Sequence, residues 1–286
     1  MTRHVDIIGH RGARGLFPEN TLEGFQLALA LGVRWFELDV GVTADGVVVV
    51  HHDLALNPAI ARDASGRWIE GTPPAIHALT FDASRTYDVG RIRPGTSYGL
   101  LYLHQKGQDD VRIPTFESVL RLSAEAHFIV ELKTDPRHPG ETVSPEAMAA
   151  AVLAVIDAVG AADRVVIESF DWRGPQYIRR IRPAMPLAWL TRDETVRDAA
   201  LWWGDVPRWT SIPAAVAAQG GQMGGHIWAP AWDSLTKVQV AEAHELGLRV
   251  VPWTVNRRTA MRRLIGWGVD GLITDRPDAA IEETRR

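Results

Sequence analysis

A repeated pattern of short apolar runs, each ending in polar residues, decides the fold. Residues 5–12 read VDIIGHRG, and this run predicts a β-strand over Val5–His10 that ends in a tight turn. Apolar residues recur at helical spacing in the next segment, which predicts a helix over Asn20–Leu31. A second strand is predicted at Trp35–Val40. The chain therefore opens with a strand–helix–strand unit, which is the building block of a parallel sheet.

The same alternation continues to the end of the chain. Further strands are predicted at Phe128–Lys133, Arg164–Phe170, Leu187–Leu190, His226–Ala229, Arg249–Val255 and Gly271–Thr274. Helices are predicted at Thr115–Ala124, Pro145–Val159, Pro175–Ile181, Leu235–Leu246, Arg258–Trp267 and Pro277–Glu283. Eight strands with helical connections in 286 residues predict an α/β fold of the closed (β/α)8, or TIM, barrel type. A doubly wound open sheet is the alternative, but no G-x-G-x-x-G turn follows the first strand.

Two segments depart from the alternation. Leu54–Ile113 is rich in Gly, Pro, Arg and Asp and lies between the second strand and its helix. A stretch of that length is typical of a functional insertion, so we expect one barrel domain over residues 1–286 with residues 54–113 as an insertion within it. Ala199–Gly225 contains Trp202 and Trp203, and its strand and helix boundaries are left unassigned.

Composition excludes several classes of function. The chain has no cysteine, 31 basic and 35 acidic side chains and a net charge of −4. The missing thiols exclude disulfide scaffolds, zinc ribbons, iron–sulfur sites and cysteine nucleophiles, and the charge balance argues against nucleic acid as a partner. There is no signal-peptide pattern and no apolar run of ~18 residues. We expect a cytoplasmic protein with no stable membrane insertion.

Ionisable residues are concentrated where the first three barrel strands end. His10 and Arg11 close the first strand, and Glu131 and Lys133 close the third. The second strand carries two acids at alternate positions, within the sequence ELD at 37–39. Side chains two apart on a strand share a face, and catalytic groups of a barrel lie at these carboxyl ends. Three carboxylates are therefore expected to converge on one point.

A hairpin signal brings histidine to the same place. Asp45-Gly46 is flanked by β-formers, which predicts a two-residue turn. The numbers of two residues paired across such a turn add up to 91, so Asp39 is expected to lie opposite His52. The neighbouring His51 is then expected to be solvated at the hairpin end.

The charges indicate what such a cluster would bind. The three carboxylates, Glu37, Asp39 and Glu131, would raise one another's pKa values and repel an anionic substrate unless a cation joined them. All-oxygen ligation favours one divalent cation, Mg²⁺ or Ca²⁺ with Mn²⁺ as a further option. Arg11 and Lys133 would then contact a phosphate oxygen, and the two histidines would be free for acid–base chemistry.

Taken together, the motifs resemble the glycerophosphodiester phosphodiesterase family. The resemblance is carried by HRG at 10–12, PENT at 18–21, ELDV at 37–40, HD at 52–53, ELK at 131–133, SF at 169–170, WTVN at 253–256 and DGLITDRP at 270–277. It extends over the whole chain and is densest over residues 8–53. It implies a TIM barrel that hydrolyses glycerophosphodiesters to glycerol 3-phosphate and an alcohol, in glycerol and lipid metabolism.

The resemblance also implies a role for each site residue. It makes His10 and His52 the acid–base pair, Glu37, Asp39 and Glu131 the ligands of one divalent cation, and Arg11 and Lys133 the phosphate contacts. Phe170 and Trp253 would line the glycerol pocket. The expected mechanism begins with attack of the glycerol 2-hydroxyl on phosphorus, which forms a cyclic phosphate that water then opens.

Alternatives remain open at this point. The same barrel could act as a phospholipase D-like enzyme or a cyclic-phosphate-forming lyase on lysophospholipids, or could bind phosphodiesters without catalysis. Asn20 could be a helix N-cap that forms a capping box with Glu23, and Glu19 could support the site. Trp253 could simply fill the barrel. The tryptophans at 202, 203 and 209 could pack in the core or form a hydrophobic rim. The oligomeric state and the alcohol headgroup do not follow from the sequence.

Overall fold

The computed structural model describes residues 4–204, 206–220 and 226–285. Its strands are β1 Asp6–His10, β2 Trp35–Val42, β3 Val48–Val50, β4 His127–Leu132, β5 Val165–Ser169, β6 Leu187–Thr191, β7 Ile227–Pro230, β8 Arg249–Val250 and β9 Gly271–Thr274. Its helices are α1 Leu22–Ala30, α2 Phe81–Ser84, α3 Ser97–Leu101, α4 Phe116–Leu120, α5 Pro145–Val159, α6 Arg173–Ile181, α7 Asp193–Arg197, α8 Ala199–Trp202, α9 Ile212–Gln219, α10 Lys237–Glu245, α11 Arg258–Trp267 and α12 Pro277–Thr284. Short 3₁₀ turns lie at Ile76–Ala78 and Ala162–Arg164.

Eight of the strands form a parallel barrel. The strand order is β8-β7-β6-β5-β4-β2-β1-β9, and β3 pairs antiparallel with β2 outside this path. The two ends of the order meet through backbone hydrogen bonds, because Asp270 N–H donates to the Val250 carbonyl at 2.9 Å and Ile273 N–H donates to the Pro252 carbonyl at 3.0 Å. The predicted TIM barrel is confirmed, and the open doubly wound sheet is wrong.

The barrel interior is filled by one layer of apolar side chains. The layer consists of Ile8, Ile129, Val166, Ala188, Ile227, Val251 and Ile273, with Trp35 and Trp253 packed against it. The alternate residues of each strand face outward and form the larger core between sheet and helices. Side chains two positions further along a strand lie directly above this layer. His10, Glu131 and Glu168 are therefore stacked at the carboxyl end of the barrel, above Ile8, Ile129 and Val166.

Helix ends follow local signals, with one correction. Ser144 caps α5, Pro145 opens it and the left-handed Gly160 ends it, so the predicted Pro145–Val159 is confirmed. The N-cap of α1 is Thr21, whose hydroxyl accepts from Gly24 N–H at 3.0 Å. The suggested Asn20 cap is wrong because Asn20 has a φ of +53°, whereas an N-cap residue normally adopts the extended region.

The β2–β3 hairpin is shifted by one residue from its predicted register. Val40 pairs with Val50, and the backbone N–H of His51 donates to the Asp39 carbonyl at 3.0 Å. The loop has three residues rather than two because Gly46 has a φ of +83° and donates to the Thr43 carbonyl, a pattern typical of a turn followed by a glycine bulge. Asp39 therefore lies opposite His51 and not His52.

The other predicted boundaries hold to varying degrees. The predicted helix Thr115–Ala124 stops at Leu120. The strand predicted at Arg249–Val255 is regular only to Val250, although Val251 N–H still donates to the Trp228 carbonyl at 2.9 Å. Pro252 lacks the N–H that would continue the ladder.

Residues 54–113 contain short helices, turns and isolated bridges around a small apolar cluster of their own. The cluster consists of Val49, Leu56, Ala61, Ile76, Val89, Val111 and Ile113, so it is continuous with β3. The segment is fastened to the loop after β1, where Lys106 N–H donates to the Leu16 carbonyl and the Gln105 amide donates to the Arg14 carbonyl, both at 2.8 Å. The assignment of residues 1–286 to one domain stays a prediction.

In its described part, the segment left unassigned by sequence contains two helices, α8 and α9. Residues 205 and 221–225 of this segment lie outside the described residues. Trp202 and Trp203 are buried in the main core, whereas Trp209 is partly exposed, so the core interpretation is confirmed for the first two. Across the described ranges, no helix is long and apolar enough to cross a membrane.

Candidate functional site

A cavity of about 470 Å³ opens at the carboxyl ends of the barrel strands. Of the nine residues predicted for the site, eight line this cavity: His10, Arg11, Glu37, His52, Glu131, Lys133, Phe170 and Trp253. The ninth, Asp39, is only 1% exposed and is in contact range of Arg11 and Lys133. The fold thus brings together residues that are up to 243 positions apart in sequence.

The acidic cluster has the geometry of a cation site. One carboxylate oxygen from each of Glu37, Asp39 and Glu131 lies within 4.8 Å of the others, and all three residues are buried. Asp39 is directly paired with Glu131 across β2 and β4, and Glu37 shares the face of Asp39. The Asp39 Oδ1 atom is buried with no hydrogen-bond partner among the described residues. A divalent cation would satisfy that oxygen, and the hard donor set fits Mg²⁺, Ca²⁺ or Mn²⁺.

The carboxyl groups of this cluster resist full ionisation in the protein alone. Burial raises the pKa of Glu131 to about 7 although Lys133 opposes the rise, and Asp39 adds to it. Burial and then the charge of Asp39 raise the pKa of Glu37 well above its ordinary value. Both effects reflect carboxylates crowded together out of water, and a bound cation would remove them.

Asp39 is held in the ionised form by its neighbours. Burial opposes its ionisation, but interactions with His52, Arg11 and Lys133 and the Asn20 hydrogen bond together hold the pKa of Asp39 well below its ordinary value. The Asn20 side-chain amide donates to Asp39 Oδ2 at 2.9 Å. Asn20 is therefore a support of the acidic cluster, which its position one residue before the helix cap did not reveal.

Two buried cations lie beside the acids. Lys133 Nζ donates to Glu131 Oε1 at 2.8 Å and lies 3.5 Å from Asp39 Oδ1. Arg11 Nη1 donates to Glu19 Oε1 at 2.7 Å, and its Nε lies 3.3 Å from Asp39 Oδ2. Paired with carboxylates in this way, the two side chains are fixed in place at the edge of the cavity, where an anion can approach both.

Each of the two histidines is held by a carboxylate at one ring nitrogen. His10 Nδ1 lies 2.6 Å from Asp275 Oδ1, and His52 Nδ1 lies 2.7 Å from Asp53 Oδ1. An ionised carboxylate only accepts, so each Nδ1 carries the proton and each Nε2 keeps a lone pair. His10 Nε2 lies 3.6 Å from Glu37 Oε2, within the acidic cluster.

Both imidazoles are neutral at neutral pH. Burial is the first cause and lowers the pKa of each ring to about 4. The Arg14 guanidinium adds to the effect at His10, and Arg11 adds to it at His52. A neutral imidazole with a free Nε2 can accept a proton from a bound hydroxyl.

Sequence reasoning missed the groups that support these histidines. Asp275 also accepts from Arg14 Nε at 3.0 Å and from the Asn256 amide at 2.7 Å, and Arg14 Nη2 lies 3.1 Å from His10 Nδ1. Asp275 stands in the DGLITDRP motif and follows a strand directly. A search for ionisable residues at strand ends, applied to the last strand as it was to the first three, would have identified Asp275.

Glu168 is a fourth buried carboxyl in the cavity. It is paired with Glu131 across β4 and β5, and its Oε2 has no hydrogen-bond partner within the described part of the chain. Burial, then Glu131 and Asp39, raise its pKa well above the ordinary value. The sequence does contain a signal for this residue, because Glu168 is an acid within the largely apolar strand sequence VVIES.

Aromatic rings also line the cavity. Phe170 packs edge-on against Trp253, with ring centroids 5.3 Å apart, and against Trp202 at 6.5 Å. The Trp253 indole N–H donates to the Ala229 carbonyl at 2.9 Å, which fixes the orientation of the ring. The Arg192 guanidinium lies 5.0 Å from the Phe170 ring centre. The cavity is therefore lined by the charged groups at the strand ends and by aromatic rings that have a guanidinium beside them.

Comparison with known proteins identifies relatives along the whole chain. The sequence profile of the glycerophosphoryl diester phosphodiesterase family matches residues 10–279. A glycerophosphodiester phosphodiesterase of Caldanaerobacter subterraneus subsp. tengcongensis is 27% identical and covers 98% of both chains. A Silicibacter pomeroyi protein whose crystal structure is named for the same family is 38% identical, with a TM-score of 0.90 over 99% of this chain and 94% of that one. An Oleispira antarctica phosphodiesterase, solved with the product sn-glycerol-3-phosphate, shares the fold at 20% identity, with a TM-score of 0.70 over 98% of this chain and 97% of that one.

Proposed function

Because the chain belongs to the glycerophosphoryl diester phosphodiesterase family, we propose that it hydrolyses glycerophosphodiesters to glycerol 3-phosphate and an alcohol with the help of a divalent cation. One observation carries this proposal. Two histidines, each hydrogen-bonded to a carboxylate, line one cavity, and a buried triad of acids lies next to them. That combination supplies the proton-transfer groups and the cation ligands that cleavage of a phosphodiester requires.

The two histidines act as the proton-transfer pair. His10 Nε2 accepts the proton of the attacking hydroxyl, and its Nδ1–H remains bonded to Asp275 so that the new positive charge is stabilised. His52, oriented by Asp53, protonates the leaving alkoxide. It must carry a proton for this step, and the negative phosphate brought next to it favours that protonated form. The leaving oxygen gains a proton as the bond to phosphorus breaks, so charge is balanced.

Glu37, Asp39 and Glu131 would hold the cation. When bound, it would polarise the phosphoryl oxygens and compensate the charge of the acids. Arg11 and Lys133 lie next to these ligands and bind the remaining phosphoryl oxygen, where they stabilise the charge that grows during attack.

The aromatic pair accommodates the apolar face of the glycerol. Phe170 and Trp253 present an edge-to-face pair beside the charged groups of the strand ends, and Trp253 packs on the apolar layer that fills the barrel interior. A three-carbon unit fits between these groups with its hydroxyl groups directed to the polar side. This arrangement supports attack by the glycerol 2-hydroxyl to give a cyclic phosphate that water then opens.

The test is release of glycerol 3-phosphate from glycerophosphocholine, measured with and without EDTA. We expect turnover that EDTA abolishes and that Mg²⁺, Ca²⁺ or Mn²⁺ restores. Turnover that EDTA does not reduce would contradict the proposed cation site. A cyclic phosphate as the final product, detected by ³¹P NMR, would identify a lyase instead. Binding without any turnover would identify a non-catalytic barrel.

A further inference from the structure

Glu168 is a buried carboxyl in the catalytic cavity that the proposed mechanism does not use. The residue is 1% exposed and lines the cavity. Its Oε2 atom is buried and has no hydrogen-bond partner among the described residues. A buried polar atom without a partner destabilises the folded state, and such departures from good packing are expected at functional sites. The position of Glu168 therefore suggests that it acts on a ligand.

Glu168 lies beside the proposed cation site but is not part of it. It is paired with Glu131 across β4 and β5. In the described part of the chain, the carboxylate oxygens that lie close enough to share one ion belong to Glu37, Asp39 and Glu131, without Glu168. The neighbouring Lys133 ammonium donates to Glu131 at 2.8 Å. What suits the Glu168 oxygen is thus a hydrogen-bond donor that the substrate brings.

The strand that carries Glu168 places it between the packed barrel interior and the aromatic rings. Val166, Glu168 and Phe170 occupy alternate positions, so their side chains share one face. Val166 belongs to the apolar layer that fills the interior, whereas Glu168 and Phe170 line the cavity. Glu168 is therefore a polar group on the cavity floor, on the strand that leads into Phe170.

The floor of the cavity is the place for the glycerol end of a diester. The apolar layer closes the cavity from below, so the substrate enters, and its alcohol leaves, on the opposite side. This direction of release places the alcohol nearer the opening and the glycerol carbons nearer the floor. With the 2-hydroxyl committed to attack, the terminal hydroxyl is the remaining donor of the glycerol. A carboxyl oxygen accepts a hydrogen bond from a hydroxyl in either protonation state.

We propose that Glu168 accepts a hydrogen bond from the terminal hydroxyl of the glycerol and thereby selects diesters in which this hydroxyl is free. The inference rests on the proposed function and adds a substrate class to it. A diester acylated at that oxygen has no proton to donate, and the packed layer beneath Glu168 leaves no room for an acyl chain. Glu168 thus favours fully deacylated diesters over 1-acyl lysophospholipids.

The test is isothermal titration of the Ca²⁺-loaded protein with sn-glycerol 3-phosphate and with the matching enantiomer of propane-1,2-diol 1-phosphate, which lacks only the terminal hydroxyl. The wild type should bind glycerol 3-phosphate about 10-fold or more tightly than the analogue, because the analogue leaves a buried acceptor unpaired. Glu168→Leu should remove this preference, and Glu168→Gln, which keeps one acceptor oxygen, should retain part of it.

Ser169→Ala is the matched control on the same strand. The Ser169 hydroxyl is buried and donates to the Leu132 carbonyl at 2.9 Å, on the face opposite to Glu168. The substitution should lower the melting temperature and leave the preference for glycerol 3-phosphate unchanged. In contrast, Glu168→Leu should melt at or above the wild-type temperature in EDTA, because it removes an unpaired buried carboxyl.

Turnover separates this inference from the proposed function. The wild type should cleave 1-acyl lysophosphatidylcholine at least about 10-fold more slowly than glycerophosphocholine. Equal cleavage of the two, equal binding of the two phosphates by the wild type, or a preference that persists in Glu168→Leu would overturn the role of Glu168. Abolished Ca²⁺ binding in Glu168→Leu would assign the residue to the cation site instead. A binding preference that depends on Glu168 in a protein without turnover would support the role of Glu168 and contradict only the hydrolysis.

Discussion

Asp275, directly after the last barrel strand, hydrogen-bonds the Nδ1 atom of His10 at the end of the first strand, at a distance of 2.6 Å. The two residues are 265 positions apart in sequence and become neighbours because β9 pairs with β1. The closure of the barrel therefore also completes the site. The carboxylate fixes which nitrogen of His10 carries the proton, and hence which one can act as a base.

We expect Asp275→Asn to lower kcat by roughly 10²-fold or more, which is the range that a positioned acid–base group contributes. An amide can present its NH₂ group to Nδ1 and stabilise the wrong tautomer, whereas a carboxylate cannot. KM should change little, because the phosphate contacts are unaffected. Steady-state kinetics on glycerophosphocholine measure both constants.

The control measurements for Asp275→Asn are its thermal stability and its cation binding. Asp275 also pairs with Arg14, so thermal unfolding and isothermal titration with Ca²⁺ should be recorded on the same sample. A variant that keeps wild-type kcat while folded would show that Asp275 has no role in orienting His10.

Adjacent histidines in the hairpin should respond in opposite ways to alanine substitution. His52→Ala should lower kcat by about 10²- to 10⁴-fold with little loss of stability, because the ring lies at the cavity. His51 is buried, and its Nε2–H donates to the Ala55 carbonyl at 3.2 Å, which corrects the expectation of a solvated side chain. His51→Ala should therefore cost about 1–3 kcal/mol in the free energy of unfolding and leave turnover per folded molecule near normal.

Urea unfolding and kinetics on both variants check this expectation. The pair is its own matched control, since both substitutions remove an imidazole from the same hairpin end. A large loss of activity in His51→Ala at full folding, with His52→Ala unaffected, would reverse the assignment.

The sequence predicted the barrel because its signal is repeated. Each strand is a short apolar run followed by turn residues, and a boundary error at one strand, such as the early end of β8 at Val250, does not change the count. The hairpin register depended on one turn, and the left-handed Gly46 moved the register by one residue. Local backbone geometry of this kind is not encoded in an apolar pattern.

The acids, bases and histidines at strand ends were predictable for a related reason. A buried charge within an apolar run is costly without a partner, so Glu37 and Asp39 stand out in the sequence. Their supports do not stand out. Asn20 lies in a loop and Tyr98 in the short helix α3, and both reach the site through contacts that only the folded chain creates.

Cation binding should stabilise the folded protein. A ligand that binds only the native state at about 100 times its Kd adds about 2.7 kcal/mol, so millimolar Ca²⁺ or Mg²⁺ should raise the melting temperature of protein treated with EDTA. Asp39→Asn should abolish that rise, because it removes a ligand charge at the centre of the triad. Differential scanning calorimetry measures the effect independently of activity.

The matched control is Asp82→Asn, at an exposed position in the insertion. It should keep the full response to the cation. If the melting temperature of the wild type responded to none of Mg²⁺, Ca²⁺ and Mn²⁺, the carboxylate triad would not be a metal site.

Asp88 should make the stability of the insertion depend on pH. Its carboxylate accepts from the backbone N–H groups of Gly90 and Asp110, both at 2.9 Å, and from Arg62 at 2.6 Å. Burial would raise the pKa of Asp88, but these three contacts outweigh it and hold the pKa below its ordinary value. A carboxyl with a depressed pKa stabilises the fold above its unfolded-state pKa, and that contribution is lost as pH falls through the folded-state pKa.

We expect Asp88→Asn to reduce the free energy of unfolding by about 1–3 kcal/mol at pH 7. The difference from wild type should shrink below about pH 4, where the wild-type group also becomes neutral. Urea unfolding at a series of pH values measures this, with Asp110→Asn as a control because that side chain is 90% exposed. A difference that stayed constant from pH 7 to acid would show that charge at Asp88 is not what stabilises the insertion.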